Sequence, residues 1–192
     1  MSCGHGSNTP EHPVAAGSKL FNIGLPRTGT TTFNSFARLL GLRTLHDPHC
    51  DRVAHAVRGF KMPTCGRAEH QQILSDLGPD RLSALAAVTE DYDVIADSPW
   101  HQLFAWLDSV WHRSQFVIWL RDAQQWAQQV QRVTQQLNAT AWPWGVCSAK
   151  EPDEDGWRRL YEQHVDGVLR YFDRPGRKHR LLLLNYSAPD ST

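Results

Sequence analysis

The chain has 192 residues, enough for one domain built on one core. Hydrophobic residues make up 41% and charged residues 21%, and 20 basic against 20 acidic residues leave a formal net charge of zero. That balance excludes a global electrostatic pull toward nucleic acid or an anionic membrane, so any bound anion must be held by a local site. Residues 1–18 are rich in Gly, Ser, Pro and His and read as a flexible N-terminal tail, with the ordered domain expected over 19–192. The tail has no apolar run of the kind a secretory leader needs. No stretch of the chain approaches the ~20 apolar residues of a membrane span. Cys3, Cys50, Cys65 and Cys147 show no paired spacing, so free thiols and a cytoplasmic location are expected.

Lys19–Ile23 is a short apolar run ending at Gly24, which predicts a buried strand. A glycine- and threonine-rich turn follows, then a helix whose Phe33, Phe36, Ala37 and Leu40 recur at helical spacing and whose end is marked by Gly41. Leu42–His46 is the second strand candidate. Residues 47–66 read as a loop, with or without a short helix, and 67–90 as helical with a break at Gly78-Pro79. Asp93–Asp97 is the third strand. Ser98 is placed to cap a helix opened by Pro99, with Trp100, Leu103, Phe104, Leu107 and Trp111 on its buried side.

Gln115–Leu120 is the clearest strand of the chain. Asp122 opens the next helix, whose stripe is Trp126, Val130, Val133 and Leu137. Residues 139–152 read as a loop, 154–172 as a long helix, Arg174–Arg180 as a solvated basic turn and Arg180–Asn185 as the last strand. Five continuous apolar runs alternating with helices predict an α/β fold: a single three-layer domain with a central parallel sheet of about five strands, covered on both faces.

The stretch with the most chemical content is Gly24-Leu-Pro-Arg-Thr-Gly-Thr-Thr-Thr-Phe33. It follows a strand and opens a helix, the setting in which unpaired N–H groups and the positive end of the helix dipole hold a phosphate. Gly24 and Gly29 have the spacing of a nucleotide-binding P-loop, but Thr30 stands where the lysine of GxxxxGK[ST] belongs. The cation is Arg27, inside the loop. Thr28, Thr30, Thr31 and Thr32 add hydroxyl donors.

Pro26-Arg-Thr-Gly-Thr-Thr31 resembles the phosphosulfate loop of sulfotransferases that use 3′-phosphoadenosine 5′-phosphosulfate (PAPS), Pro-[Lys/Arg]-[Ser/Thr]-Gly-Thr-Thr, at every position. A second stretch, Phe116-Val-Ile-Trp-Leu-Arg-Asp-Ala-Gln-Gln-Trp126, is similar to the strand, Arg-Asp-Pro and Trp pattern of a small-sulfotransferase subfamily. In that family the arginine, with a serine eight residues on, holds the donor's 3′-phosphate. Arg121 matches the arginine; Ala123 replaces the proline and Gln129 occupies the serine position. Tyr161, His164 and 181–186 also look like the subfamily's last helix and strand, although relatives often continue with one more helix. Trp126 is expected in the core rather than against adenine.

What the resemblance implies is transfer of a sulfuryl group from PAPS to a hydroxyl, or an amine, of a small-molecule acceptor, with no metal required. The donor would lie on Pro26, Arg27, Thr28, Gly29, Thr30, Thr31, Thr32, Arg121 and Gln129. Arg27 and the loop amides would face the charge growing on the leaving phosphate. A base must take the acceptor's proton. Asp97 is the first candidate, at the carboxyl end of a buried strand where open α/β sheets bind ligands, and it matches the subfamily's Asp-x-Pro. His46, at the end of the second strand, is the next, and His101 the third. Trp100, Phe104, Trp142 and Trp144 point to an aromatic or apolar acceptor. Two other readings stay open: a non-catalytic relative that binds PAPS or a nucleotide, and a P-loop kinase, for which Val94-Ile-Ala-Asp97 resembles a magnesium-holding strand end.

Overall fold

The computed structural model describes residues 17–46, 53, 70–136 and 153–185. The expected N-terminal tail, the loops around 47–66 and 139–152, all four cysteines, Leu137, Trp142 and Trp144 fall wholly or mainly outside the described residues. Five strands form one sheet: β1 (Leu20–Asn22), β2 (Thr44–Leu45), β3 (Val94–Ala96), β4 (Gln115–Leu120) and β5 (Leu181–Asn185). Their spatial order is β2-β3-β1-β4-β5, and every neighbouring pair is parallel. Five helices are described: α1 (Thr30–Leu39), α2 (His70–Glu90), α3 (Phe104–Val110), α4 (Ala123–Gln136) and α5 (Glu154–Phe172). Helix α2 breaks at Gly78, as its Gly-Pro pair requires. Among the described residues no helix is long and apolar enough to cross a membrane.

The two sheet faces are filled by alternate residues of the same strands, which makes three layers. Phe21, Ile95, Phe116 and Ile118 pack against α2, α3 and α5. Val94 and Val117 face the other way, against Phe33 and Ala37 of α1. A third cluster, with Trp126 and Val130 of α4 and Trp157, Leu160 and Tyr161 of α5, joins those two helices over Leu25.

Helix α1 buries Thr30, Phe33, Asn34 and Ala37, a stripe at i, i+3, i+4 and i+7. Phe36 and Leu40, expected on the buried face, lie off this stripe and are exposed. Gly41 ends the helix as expected: its φ is 78°, its N–H reaches the Arg38 carbonyl, and that of Leu42 reaches Ala37.

Two further expectations are corrected. Ser98 caps no helix. The Trp100 N–H closes a turn onto the Asp97 carbonyl, Trp100–Gln102 is a 3-10 turn, and α3 starts only at Phe104. Trp100 and Leu103 are nevertheless fully buried. The basic run Arg174–Arg180 is not simply a solvated turn either. Arg180 is buried, pairs with Asp108 and donates to the carbonyls of Ser114 (2.9 Å) and Trp111 (2.8 Å). Arg177 Nε and the Tyr171 hydroxyl also bond Asp108, at 3.0 and 2.8 Å. A buried carboxylate must be paired, and this run supplies the pairing. Asp108 in turn pushes the Tyr171 hydroxyl up to about 12, after the larger effect of burial.

Two histidines meet just below the β1 end, His101 fully buried and His164 partly so. The His164 ring is hydrogen-bonded through Nε2 to the Ile23 carbonyl at 2.8 Å, and the His101 ring meets it edge-on at 5.7 Å. Neither nitrogen of His101 makes a hydrogen bond of normal geometry. Burial lowers His101 to about 3, with His164 adding to the effect, and lowers His164 to about 4. Both rings are therefore neutral in the fold but charge in the unfolded chain below about 6.5. Stability from this pair is complete above that pH and is lost as pH falls through the 6.5-to-4 window, by up to ~1.4 kcal/mol per pH unit for each ring. Urea melts should show the midpoint falling across that window, and His101→Leu should flatten the fall. A midpoint in the parent protein that is level from pH 6.5 to 4 contradicts the assignment.

Candidate active site

The loop Gly24–Gly29 connects β1 to α1 at the carboxyl edge of the sheet. β1 and β4 are neighbours, and the chain leaves them toward opposite ends of the sheet. Crevices at such switch points are where open α/β sheets hold ligands. Gly24 lets the loop start tight against the sheet: a Cβ there would fall 2.6 Å from Thr28 Oγ1 and 3.2 Å from Asn22 Oδ1. Gly29 has φ 106°, and a Cβ on it would come within 2.9 Å of Cε3 of Trp119.

The loop's carbonyls are drawn outward. Trp126 Nε1 donates to the Pro26 carbonyl at 2.9 Å, and the Arg121 guanidinium donates to the Arg27 carbonyl at 2.8 Å. The first intrahelical bond of α1 runs from the Phe33 N–H to the Gly29 carbonyl, so the N–H groups of Thr30, Thr31 and Thr32 have no place in the helix's own ladder. No acidic residue and no side-chain cap occupies that turn. The result is an anion cradle with a positive dipole end, and Arg27 stands exposed at its rim.

Thr28 departs from the expected role. It is buried; its hydroxyl donates to the Leu25 carbonyl at 2.7 Å and its N–H bonds the same group at 3.2 Å. Its hydroxyl closes the loop's own turn and offers a ligand no donor. Thr31 and Thr32 are exposed. Thr30 is buried and its side chain hydrogen-bonds Asp97.

Asp97 leaves β3 with φ 74°, and Arg27 has φ 70°; among the described residues these are the two non-glycine residues in the left-handed region. Such conformations cost energy and cluster at functional sites. Asp97 accepts from the Ser98 N–H at 2.9 Å and lies 3.5 Å from His46 Nε2. Burial raises the Asp97 carboxyl above the ordinary carboxylate range, against the opposing pull of His46, Ser98, Thr30 and Arg27. The two leading base candidates, just past the ends of the neighbouring strands β2 and β3, thus stand side by side. His101, the third candidate, belongs to the core.

Arg121 is fixed at the end of β4. Its N–H donates to the Tyr161 hydroxyl at 2.7 Å, and that hydroxyl donates back to the Arg121 carbonyl at 3.0 Å. Its guanidinium also donates to Gln129 Oε1 at 2.6 Å. Gln129, in the position held by serine in relatives, therefore meets the arginine. A cavity of about 330 Å³ is lined by 26–32, Asp97, Trp119, Arg121 and Gln129. A second groove of about 520 Å³ continues past Arg27, Arg121 and Gln129 along α4. Every expected donor-site position lines the first cavity; His46 reaches it through Asp97.

Sequence reasoning missed Trp119, the floor under Gly29, and the tie of Trp126 to the loop. A tryptophan at the carboxyl end of the strand next to β1 was the available signal for the first. Trp126 is fully buried against Trp157 and Tyr161, the core role expected of it. Trp100 is buried, and Phe104 packs on His164, Tyr171 and Phe172, so these two are core rather than acceptor walls.

No curated protein sequence matches the chain significantly. Among solved structures, the "Sulfotransferase Domain from the Curacin Biosynthetic Pathway" is similar in fold, with TM-score 0.50 at 12% identity over 88% of this chain and 67% of that one. A family model described as "Sulfotransferase domain" matches residues 19–182. Because that match spans most of the chain, from the first strand past the loop and the Arg121 turn into the last strand, the chain belongs to the sulfotransferase family.

Proposed function

We propose that the protein transfers a sulfuryl group from PAPS to a hydroxyl, or an amine, of a small-molecule acceptor. The observation that carries this reading is the anion cradle with its cation inside the loop: Arg27 at the rim, unladdered N–H groups at Thr30–Thr32, and a threonine where a nucleotide kinase needs lysine. In the transfer R–OH + PAPS → R–O–SO₃⁻ + adenosine 3′,5′-bisphosphate + H⁺, the bond to sulfur forms as the sulfur–oxygen bond to the phosphate breaks. Negative charge grows on that phosphate oxygen, where Arg27 and the loop amides stabilise it. Arg121 and Gln129 hold the 3′-phosphate end. The Asp97–His46 pair, beside the loop through Thr30, receives the acceptor's proton, and Asp97 is the group nearer the cradle.

If the loop and Arg121 hold the two ends of the donor, adenosine 3′,5′-bisphosphate stabilises the fold without metal. At ~100 times its dissociation constant it adds about 2.7 kcal/mol. For a domain of this size that raises Tm by about 5–10 °C. The rise should appear in EDTA, with clearly less for adenosine 5′-monophosphate. A larger, magnesium-dependent rise with ATP overturns the reading in favour of a kinase. If the bisphosphate rise appears but no acceptor in a broad panel is sulfated, the protein is a non-catalytic binder.

Asp97→Asn is a clean probe of the base, because asparagine tolerates the left-handed backbone at least as well as aspartate. Turnover should fall about 10²–10⁴-fold with bisphosphate affinity nearly unchanged. In the parent enzyme kcat/KM should rise with pH as the Asp97 carboxyl, raised by burial, loses its proton, and the variant should lose that acidic limb. An unchanged pH profile in Asp97→Asn moves the role to His46 or elsewhere.

A further inference from the structure

Beyond Arg121, helix α4 presents one face to the 520 Å³ groove, and no carboxylate lines it. Arg132 follows Gln129 by three residues and Gln128 by four, so it stands one turn beyond both on the face that lines the groove with Arg121. Arg121 is already partly committed, because one of its terminal nitrogens serves both Gln129 Oε1 and the Arg27 carbonyl. Gln129 is neutral, and its oxygen is used by Arg121. Among the described residues, Arg132 donates through Nε, to the Gln128 carbonyl of its own helix at 3.3 Å. No carboxylate among the described residues is paired with its terminal nitrogens. Glu154, on the neighbouring cavity, accepts instead from Gln124 and Gln128.

A phosphate monoester brings a charge of about −1.5 to −2 at neutral pH and three acceptor oxygens. One guanidinium that is half occupied by protein groups does not match that charge. Arg132 lies three residues beyond Gln129, about 4.5 Å further along the helix axis on the same side. Its two terminal nitrogens form the fork that phosphate oxygens fit.

We propose that Arg132 is a second guanidinium for the donor's 3′-phosphate, a binding residue that sets the preference for adenosine 3′,5′-bisphosphate over adenosine 5′-monophosphate. This rests on the donor-site reading above. Gln129 then orients Arg121, and the further positive charge comes from the next turn of α4.

Calorimetric titration of the whole chain with adenosine 3′,5′-bisphosphate and with adenosine 5′-monophosphate, at low and moderate salt, tests this. Arg132→Ala should weaken the bisphosphate about tenfold or more, leave the monophosphate within about twofold, and flatten the salt dependence of bisphosphate binding. Arg132→Lys should recover part of the loss. Arg132 is exposed, so the variant should fold, and a merely structural role would move both ligands together. Equal weakening of both ligands, or none, overturns the role of Arg132. A parent protein that binds the two ligands equally tightly overturns the donor-site reading itself, whatever Arg132→Ala does.

Discussion

The hydrogen bond from the Arg121 guanidinium to the Arg27 carbonyl joins two turns that are 94 residues apart in the chain. It crosses the switch point between β1 and β4 and does two things at once. It holds a loop carbonyl outside the cradle, whose N–H groups come from the start of α1. It also sets Arg121 within reach of whatever the cradle holds. Trp126 repeats the first effect one residue earlier, on the Pro26 carbonyl, from inside the core cluster of α4 and α5. The anion cradle is therefore not a property of the loop alone. It depends on the packing of α4 and α5, and on Tyr161, whose hydroxyl holds the Arg121 backbone from both sides.

The other wall of the site is built on a different principle. Asp97, just past the end of β3, and Arg27, in the loop after the adjacent β1, both sit in left-handed backbone. Burial opposes the charge on Asp97, while His46, the Ser98 amide, the Thr30 side chain and Arg27 favour it. A carboxyl balanced in this way keeps a proton affinity above that of a surface aspartate while remaining tied to the loop. Thr30 is the link: it is the first residue of α1, and its side chain bonds Asp97.

Much of this was legible in the sequence. The order of strands and helices, the break at Gly78, the Gly41 stop and the parallel sheet follow from apolar runs and turn residues, which are local signals. The loop was legible because its chemistry is contiguous, from Pro26 to Thr32. What was not legible depends on partners far apart in the chain. Thr28 looks like a ligand donor until Leu25 is seen to take its hydroxyl. Arg177 and Arg180 look like a solvated turn until Asp108, about 70 residues earlier, is seen to need them. Phe36 and Leu40 have the right period for a core face, but the sheet meets α1 along Thr30, Phe33 and Ala37, and periodicity does not fix that rotation. Ser98 has the residue type of a cap, yet the turn closes on the Asp97 carbonyl instead.

On the proposed reading, one crevice holds a 3′,5′-bisphosphorylated nucleoside by both ends. A crystal structure of the protein with adenosine 3′,5′-bisphosphate tests it most directly. The 5′-phosphate should lie at hydrogen-bond distance, about 2.7–3.2 Å, from the N–H groups of Thr30 and Thr31 and from Arg27. The 3′-phosphate should meet Arg121 beside Gln129. A nucleotide bound with its 5′-phosphate away from the α1 start, or with its 3′-phosphate out of reach of Arg121, would contradict the account.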